Sequence, residues 1–171
     1  MKKLFFALFM SFGLIAVNAQ ETKTALKKGS FAIEANTGTY MVGNTGFSLE
    51  SRDGATNWSI GLEGDYFVTD GLAIKAGLGY TDLDGDFSAF SYKIGLKYYI
   101  INQIPVGLDF TGASYKNFDE NPFYLGIQGG YAWFPASNVS IEPTLRYNIS
   151  LNEDFDDKGV FQGLIGFVFH F

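Results

Sequence analysis

The stretch that decides the fold is Leu72-Ala-Ile-Lys-Ala-Gly-Leu-Gly-Tyr80. Successive side chains of an extended chain point to opposite faces. Leu72, Ile74, Ala76, Leu78 and Tyr80 therefore share one face, and Ala73, Lys75, Gly77 and Gly79 share the other. A helical period would scatter both sets around an axis, so this is a strand. Upstream, beyond the turn signal Thr69-Asp70-Gly71, Trp58, Ile60, Leu62 and Tyr66 alternate with Ser59, Gly61, Glu63 and Asp65.

The same period recurs along the chain. Its apolar members are Phe31, Ile33 and Ala35; Phe90, Tyr92, Ile94, Leu96 and Tyr98; and Val106, Leu108 and Phe110. It continues in Leu125, Ile127, Tyr131 and Trp133; in Val139, Ile141, Leu145 and Tyr147; and in Phe161, Ile165, Phe167, Phe169 and Phe171. Each segment is roughly nine to twelve residues, the length a tilted strand needs to cross a bilayer. Connections are tight near residues 69–70, 102–103 and 135–137, and longer and polar at 39–57, 81–88, 116–121 and 151–159. Three tight turns interleaved with four long loops imply eight strands, with both chain ends on the tight-turn side. Residues 45–51, with Phe47 and Leu49, also alternate. A ninth strand would separate the two ends, so this segment is expected to form a hairpin above the membrane. Pro143 lies inside a strand, where it cannot donate to the ladder, and a bulge or one missing bond is expected there.

Two features assign the apolar face to lipid. The opposite face is small (Gly61, Gly77, Gly79, Gly95, Gly107, Gly126, Gly130, Gly166), as the narrow interior of an eight-stranded barrel requires. The aromatics also gather at the strand ends. Tyr66, Tyr98, Trp133, Phe169 and Phe171 lie by the tight turns, and Trp58, Tyr80, Phe90, Tyr147 and Phe161 by the long loops, forming two interfacial girdles. A soluble barrel with apolar residues inside explains the bulk but not this placement.

The first residues, Met1-Lys-Lys-Leu-Phe-Phe-Ala, carry a positive start and an apolar run that ends on Val17-Asn18-Ala19. Residues 1–19 read as a cleavable signal peptide, 20–29 as a short polar periplasmic leader, and 30–171 as the barrel. Of twelve basic residues, cleavage removes Lys2 and Lys3, leaving ten against eighteen acids and a net charge of about −8. That balance excludes a nucleic-acid role. The chain has no cysteine, so no disulfide braces it.

The mature chain resembles the small outer-membrane β-barrel family related to OmpX, OmpW and the OmpA transmembrane domain. The resemblance is carried by the hairpin from Tyr66 to Tyr80 and the last strand, Gly163-Leu-Ile-Gly-Phe-Val-Phe-His-Phe171. It implies an eight-stranded antiparallel barrel in the outer membrane of a Gram-negative bacterium. It also implies that Ile165, Phe167, Phe169 and Phe171 are the signal read by the barrel-assembly machinery. Lipid and lipopolysaccharide are the other expected partners, and the barrel is expected to be a monomer.

Inward positions carry Glu34, Glu63, Asp65, Asp109 and Glu142 against Lys75, Lys93, Lys97 and Arg146. In a narrow interior an unpaired charge is costly, so these nine are expected to form one network that plugs the lumen and fixes register. A gated pathway for ions or small apolar solutes, as in OmpW-like barrels, is the alternative. His170 is the single histidine, expected at the periplasmic rim, with no nucleophile–base pair to make an enzyme. No cofactor is expected. Asp82, Asp84 and Asp86 match part of a calcium loop without its downstream glutamate. The acidic loops, including Asp119, Glu120 and the run 153–157, are therefore expected to be solvated rather than metal-bound.

Overall fold

The computed structural model describes residues 25–38, 44–83, 87–116, 121–152 and 158–171. The expected signal peptide lies outside these, as do Asp84, Asp86, Asp119, Glu120 and the acidic run 153–157. The strands are β1 (Phe31–Asn36), β2 (Ser48–Arg52), β3 (Ala55–Thr69), β4 (Leu72–Leu83) and β5 (Phe87–Ile100). They continue with β6 (Ile104–Tyr115), β7 (Phe123–Gly130), β8 (Trp133–Ala136), β9 (Val139–Ser150) and β10 (Val160–His170). Antiparallel pairing runs β1-β10-β9-β7-β6-β5-β4-β3, and β3 pairs back to β1. These eight staves close an all-β barrel.

The register sets its shape. Starting at Tyr66, the partners around the wall are Ile74, Leu96, Leu108, Ile127, Tyr147 and Phe161. Tyr66 also pairs with Phe31, whose backbone bonds both ways to Phe171. One circuit therefore arrives at Phe161 rather than Phe171, a stagger of ten residues. Such a stagger tilts the strands by roughly 35–45°. It also brings together inward residues that lie far apart in sequence.

The expected face assignment is the one observed. Ile60, Leu78, Ile94 and Leu145 are 58–60% exposed, whereas Asp65, Lys75 and Lys97 are at most 2% exposed. Phe31 packs on Tyr66 near the chain ends, and Trp58 packs on Tyr80 by the long loops, each pair at 5.6 Å between ring centroids. We call the first the terminal end and the second the loop end.

Four local expectations need adjustment. The connection expected at 81–88 is mostly strand, since β4 runs to Leu83 and β5 starts at Phe87. Opposite Pro143, β9 itself stays continuous, and the interruption falls on its neighbour, between β7 and β8. Tyr131 donates its N–H to the Pro143 carbonyl at 3.1 Å, and proline has no N–H to return. The leader is not simply polar: Ala25 and Leu26 are buried at the terminal end, where the Leu26 carbonyl accepts from Gly71 and Lys28 N–H donates to Asp70.

The fourth concerns residues 45–51. Ser48–Arg52 does form a hairpin with β3, turning at Asp53 and Gly54, both with positive φ. The residues before it do not stand above the barrel. β1 pairs with β3 only from Phe31 to Glu34, and Phe47 then bridges in parallel to Thr37. The chain is thus a wedge between β1 and β3 in the loop-end half of the wall. Parity counts staves that run the full height, and this one runs half.

Candidate functional site

All nine inward charges are buried, and the structure divides them into two clusters. Toward the terminal end, Lys75 Nζ lies 2.5 Å from Glu34 Oε2 and 2.7 Å from Glu63 Oε2. Lys97 Nζ lies 2.8 Å from Glu34 and 2.6 Å from Glu142. Lys93 reaches Glu63 Oε1 from the loop side. Asp65 sits between Lys75 at 3.8 Å and Lys97 at 3.7 Å, and neither of its oxygens is hydrogen-bonded. Four carboxylates share three ammonium groups here.

The second cluster is one ion pair in an amide cage. The Arg146 fork meets Asp109 with both terminal nitrogens, at 2.5 and 2.6 Å. Arg146 also donates to Asn148 at 2.6 Å, Thr111 at 3.0 Å and Gln128 at 3.2 Å, and Asn148 passes a bond to Gln162 at 2.8 Å. The guanidinium shape suits this bidentate pairing in a way an ammonium does not.

Register explains how such large groups fit. In one row across the wall the partners are Glu34, Glu63, Gly77, Lys93 and Thr111. In the next, Lys75 is followed by Gly95, Asp109 and Gly126. A glycine is the register partner of Glu63, Lys75, Lys93, Lys97 and Glu142, leaving room for these long side chains to lean across. A side chain at Gly126 would meet the Arg146 guanidinium, and one at Gly95 would meet Asp109.

Below the first cluster, at the terminal end, lies an apolar floor of Leu26, Phe67, Tyr99, Val168 and small alanines, with Phe134 against it. Tyr99 donates to Glu142 at 2.8 Å and lies under Lys97, whose nitrogen is 5.1 Å from the ring centre. His170 belongs to this floor rather than to an exposed rim. It is 3% exposed, its ring lies 5.5 Å from Phe134 and 6.4 Å from Phe67, and its Nε2 is 3.0 Å from Ser140 Oγ. The structure thus brings together a serine and a histidine that the sequence keeps 30 residues apart. Ser140 donates instead to Glu142 at 2.7 Å and is fully buried.

Above the clusters, the wedge enters the barrel. Asn44 donates to Ser59 at 2.6 Å, and Thr45 donates to Glu63 Oε1, the oxygen that Lys93 also holds. A Cβ at Gly61 or Gly79 would overlap the Thr45 or Asn44 backbone. A cavity of about 20 Å³ remains between Asn36, Asn44, Glu63, Lys93, Arg146 and Gln162, room for about one water.

No protein-family model matches the chain, and no curated protein matches it in sequence. Solved structures do. The N-terminal β-barrel domain of Pseudomonas aeruginosa OprF matches with TM-score 0.51 at 18% identity, over 84% of this chain and 98% of that one. The outer membrane protein OprG from Pseudomonas aeruginosa matches with TM-score 0.50 at 12% identity, over 85% of this chain and 97% of that one. The fold is that of the small outer-membrane β-barrels. At these identities the fold is what is shared.

The remaining sequence-derived positions are placed as follows. Ile165, Phe167 and Phe169 lie on the outer face, and Phe171 is 73% exposed beside Phe31. Asp82, one residue before the end of β4, lies opposite Trp58 and Ser88 and is half-buried. Phe67, Tyr99, Tyr124 and Asn44 are buried in the interior as well, and alternation alone did not single them out. The available signal was aromatic doublets, Tyr66-Phe67 and Tyr98-Tyr99, in which one ring must face inward.

Proposed function

We propose that this chain is an integral outer-membrane β-barrel of a Gram-negative bacterium, with a closed lumen and a structural or surface-interaction role. One observation carries the reading: a continuous apolar exterior with aromatic girdles surrounds a charged, hydrogen-bonded interior. In water this arrangement is inverted and would aggregate. In a bilayer it satisfies every layer, because closed strands leave no unpaired edge facing lipid.

In this reading the terminal end faces the periplasm and the long loops face outward, where lipopolysaccharide and acidic loop residues meet. Residues 1–19 direct export. Ile165, Phe167, Phe169 and Phe171 present the stripe that the assembly machinery reads. The ion clusters close the lumen, and the burial of Ser140 and His170 supports a non-enzymatic role.

The test is recovery in outer-membrane fractions, heat-modifiable gel migration of unboiled protein, and planar-bilayer recording. A folded, silent barrel in the outer membrane is the expected outcome. Discrete conductance steps abolished by Lys93→Ala or Arg146→Ala would replace the closed-lumen reading with a narrow channel. Recovery in the soluble periplasm would overturn both.

A further inference from the structure

We propose that residues 44–46 are a removable plug, and that the loop-end half of the lumen opens to solvent when they leave their seat. The inference rests on the reading that this end lies outside the cell, and its first test does not depend on that orientation.

The seat is built. Gly61 and Gly79 leave no space for a side chain under the Asn44–Thr45 backbone, and a Cβ at Gly77 would lie 3.4 Å from the Thr45 Cβ. Asn44, Thr45 and Gly46 are all buried there. Yet among the described residues the bonds that hold them are few and polar, and one of them runs from the Ser59 hydroxyl to the Gly46 carbonyl at 3.3 Å. Asn44 bonds to Ser59, Thr45 bonds to Glu63, and the wedge joins β1 through two backbone bonds at Phe47, of 2.6 and 3.0 Å. Of the staves on its two sides, β3 is joined to β4 by twelve paired residues and β1 to β10 by five.

What the plug leaves behind is equally polar. Ser59 exchanges its bonds to Asn44 and Gly46 for water at a modest net cost per bond, and Asn36 and Gln162 line the small cavity beside it. Glu63 keeps both of its ammonium partners, Lys75 and Lys93, when Thr45 departs. No buried charge is stranded. By contrast, no residue of the terminal-end floor can leave without exposing apolar area or an unpaired charge.

The chain has no cysteine, so a single introduced thiol reports on its own site. Ser91 lies opposite Gly79, beside the seat, and its hydroxyl makes no hydrogen bond, which makes Ser91→Cys a mild reporter. Ala73→Cys reports on the floor, and Ser51→Cys on the exposed hairpin. The full chain is refolded in detergent micelles and treated with a charged maleimide, which reaches both barrel ends. We expect the Ser51→Cys protein to react at once, the Ala73→Cys protein to stay inert, and the Ser91→Cys protein to react slowly through local opening. Adding Gly79→Ala, whose methyl displaces the Asn44 carbonyl, should speed the Ser91→Cys reaction by about tenfold or more, with Ala73→Cys unchanged.

If Gly79→Ala fails to fold, the pair Thr45→Cys and Gly77→Cys serves instead, its Cβ atoms 3.4 Å apart at the near edge of disulfide spacing, with the Glu63 side chain giving way to the new group at position 77. Oxidised, it should abolish labelling at a third thiol in place of Ser91 once its own sulfurs are paired, and reduction should restore it. Labelling of Ser91→Cys that matches Ala73→Cys in every background, or that matches Ser51→Cys without any second change, overturns the plug. In intact cells, failure of Ser51→Cys to label with the impermeant reagent would overturn the outward orientation while leaving the micelle result standing.

Discussion

The two halves of the lumen are filled in different ways. The terminal half packs four carboxylates, three ammonium groups and an apolar floor, drawn from staves all around the wall. The loop half is filled by a neutral wedge and by the Arg146–Asp109 ion pair, whose guanidinium also bonds to amides and hydroxyls. The difference teaches that burial alone does not make an interior fixed. Buried charges held mainly by one another cannot be separated cheaply, because each would be left in a low-dielectric site. Neutral polar groups can return to water with little loss.

The largest expected effect follows from removing the central ammonium. Lys75→Met leaves Glu34, Glu63 and Asp65 together with one cation fewer, and breaking a buried pair costs about 3–5 kcal/mol. Urea unfolding in micelles should show a barrel that is lost or barely stable. A change of under about 1 kcal/mol would show that water already reaches this half, and the contrast between halves would disappear.

The apolar floor comes next. Leu26 is 3% exposed among Phe67, Tyr99 and Val168, and Leu26→Ala should destabilise by about 2–4 kcal/mol through the cavity it leaves. Proteolysis of residues 20–30 in the folded variant should speed up in parallel. Unchanged stability would mean that the leader only rests on the barrel end.

Much of this was legible in the sequence, and the rest for physical reasons was not. Alternation told inside from outside, since Ile74 and Lys75 differ in both size and charge. Which charges meet depends on a stagger of ten residues, accumulated around the whole wall, and no local pattern encodes it. Thus Asp109 and Arg146, 37 residues apart, form a separate cluster instead of joining the seven others. Leu26 read as part of a polar leader because its neighbours Lys27 and Lys28 are charged and exposed. The wedge was hidden by an argument from parity: Phe47 and Leu49 alternate like a strand, but nothing in them shows that Asn44 and Thr45 turn inward onto glycines from two other staves.

A change within the loop half sharpens the comparison at smaller scale. Arg146→Lys keeps the charge opposite Asp109 but loses the fork and the bonds to Asn148 and Thr111. Hydrogen bonds to charged groups are worth about 1.5–3 kcal/mol, and with the ion pair retained a loss of about 2 kcal/mol is expected in urea unfolding. Arg146→Lys that cost as much as Lys75→Met would show the amide cage to be as rigid as the ion cluster.

The smallest effect should come from Thr45→Val, which removes the hydroxyl donated to Glu63 while keeping the side chain's shape. Glu63 still accepts from Lys75 and Lys93, so no acceptor is left bare. The loss should be about 1 kcal/mol or less, as for one hydrogen bond exchanged with water. Two further readings give the number its meaning. In the Ser91→Cys background, Thr45→Val should raise maleimide reactivity by the factor that its stability loss implies for local opening, because the bond is lost only from the seated state. Combined with Lys75→Met, its effect should fall outside simple additivity, since both touch Glu63. A Thr45→Val protein that unfolds as readily as Lys75→Met would place the wedge among the fixed parts of the barrel and remove the reason for calling the loop half separable.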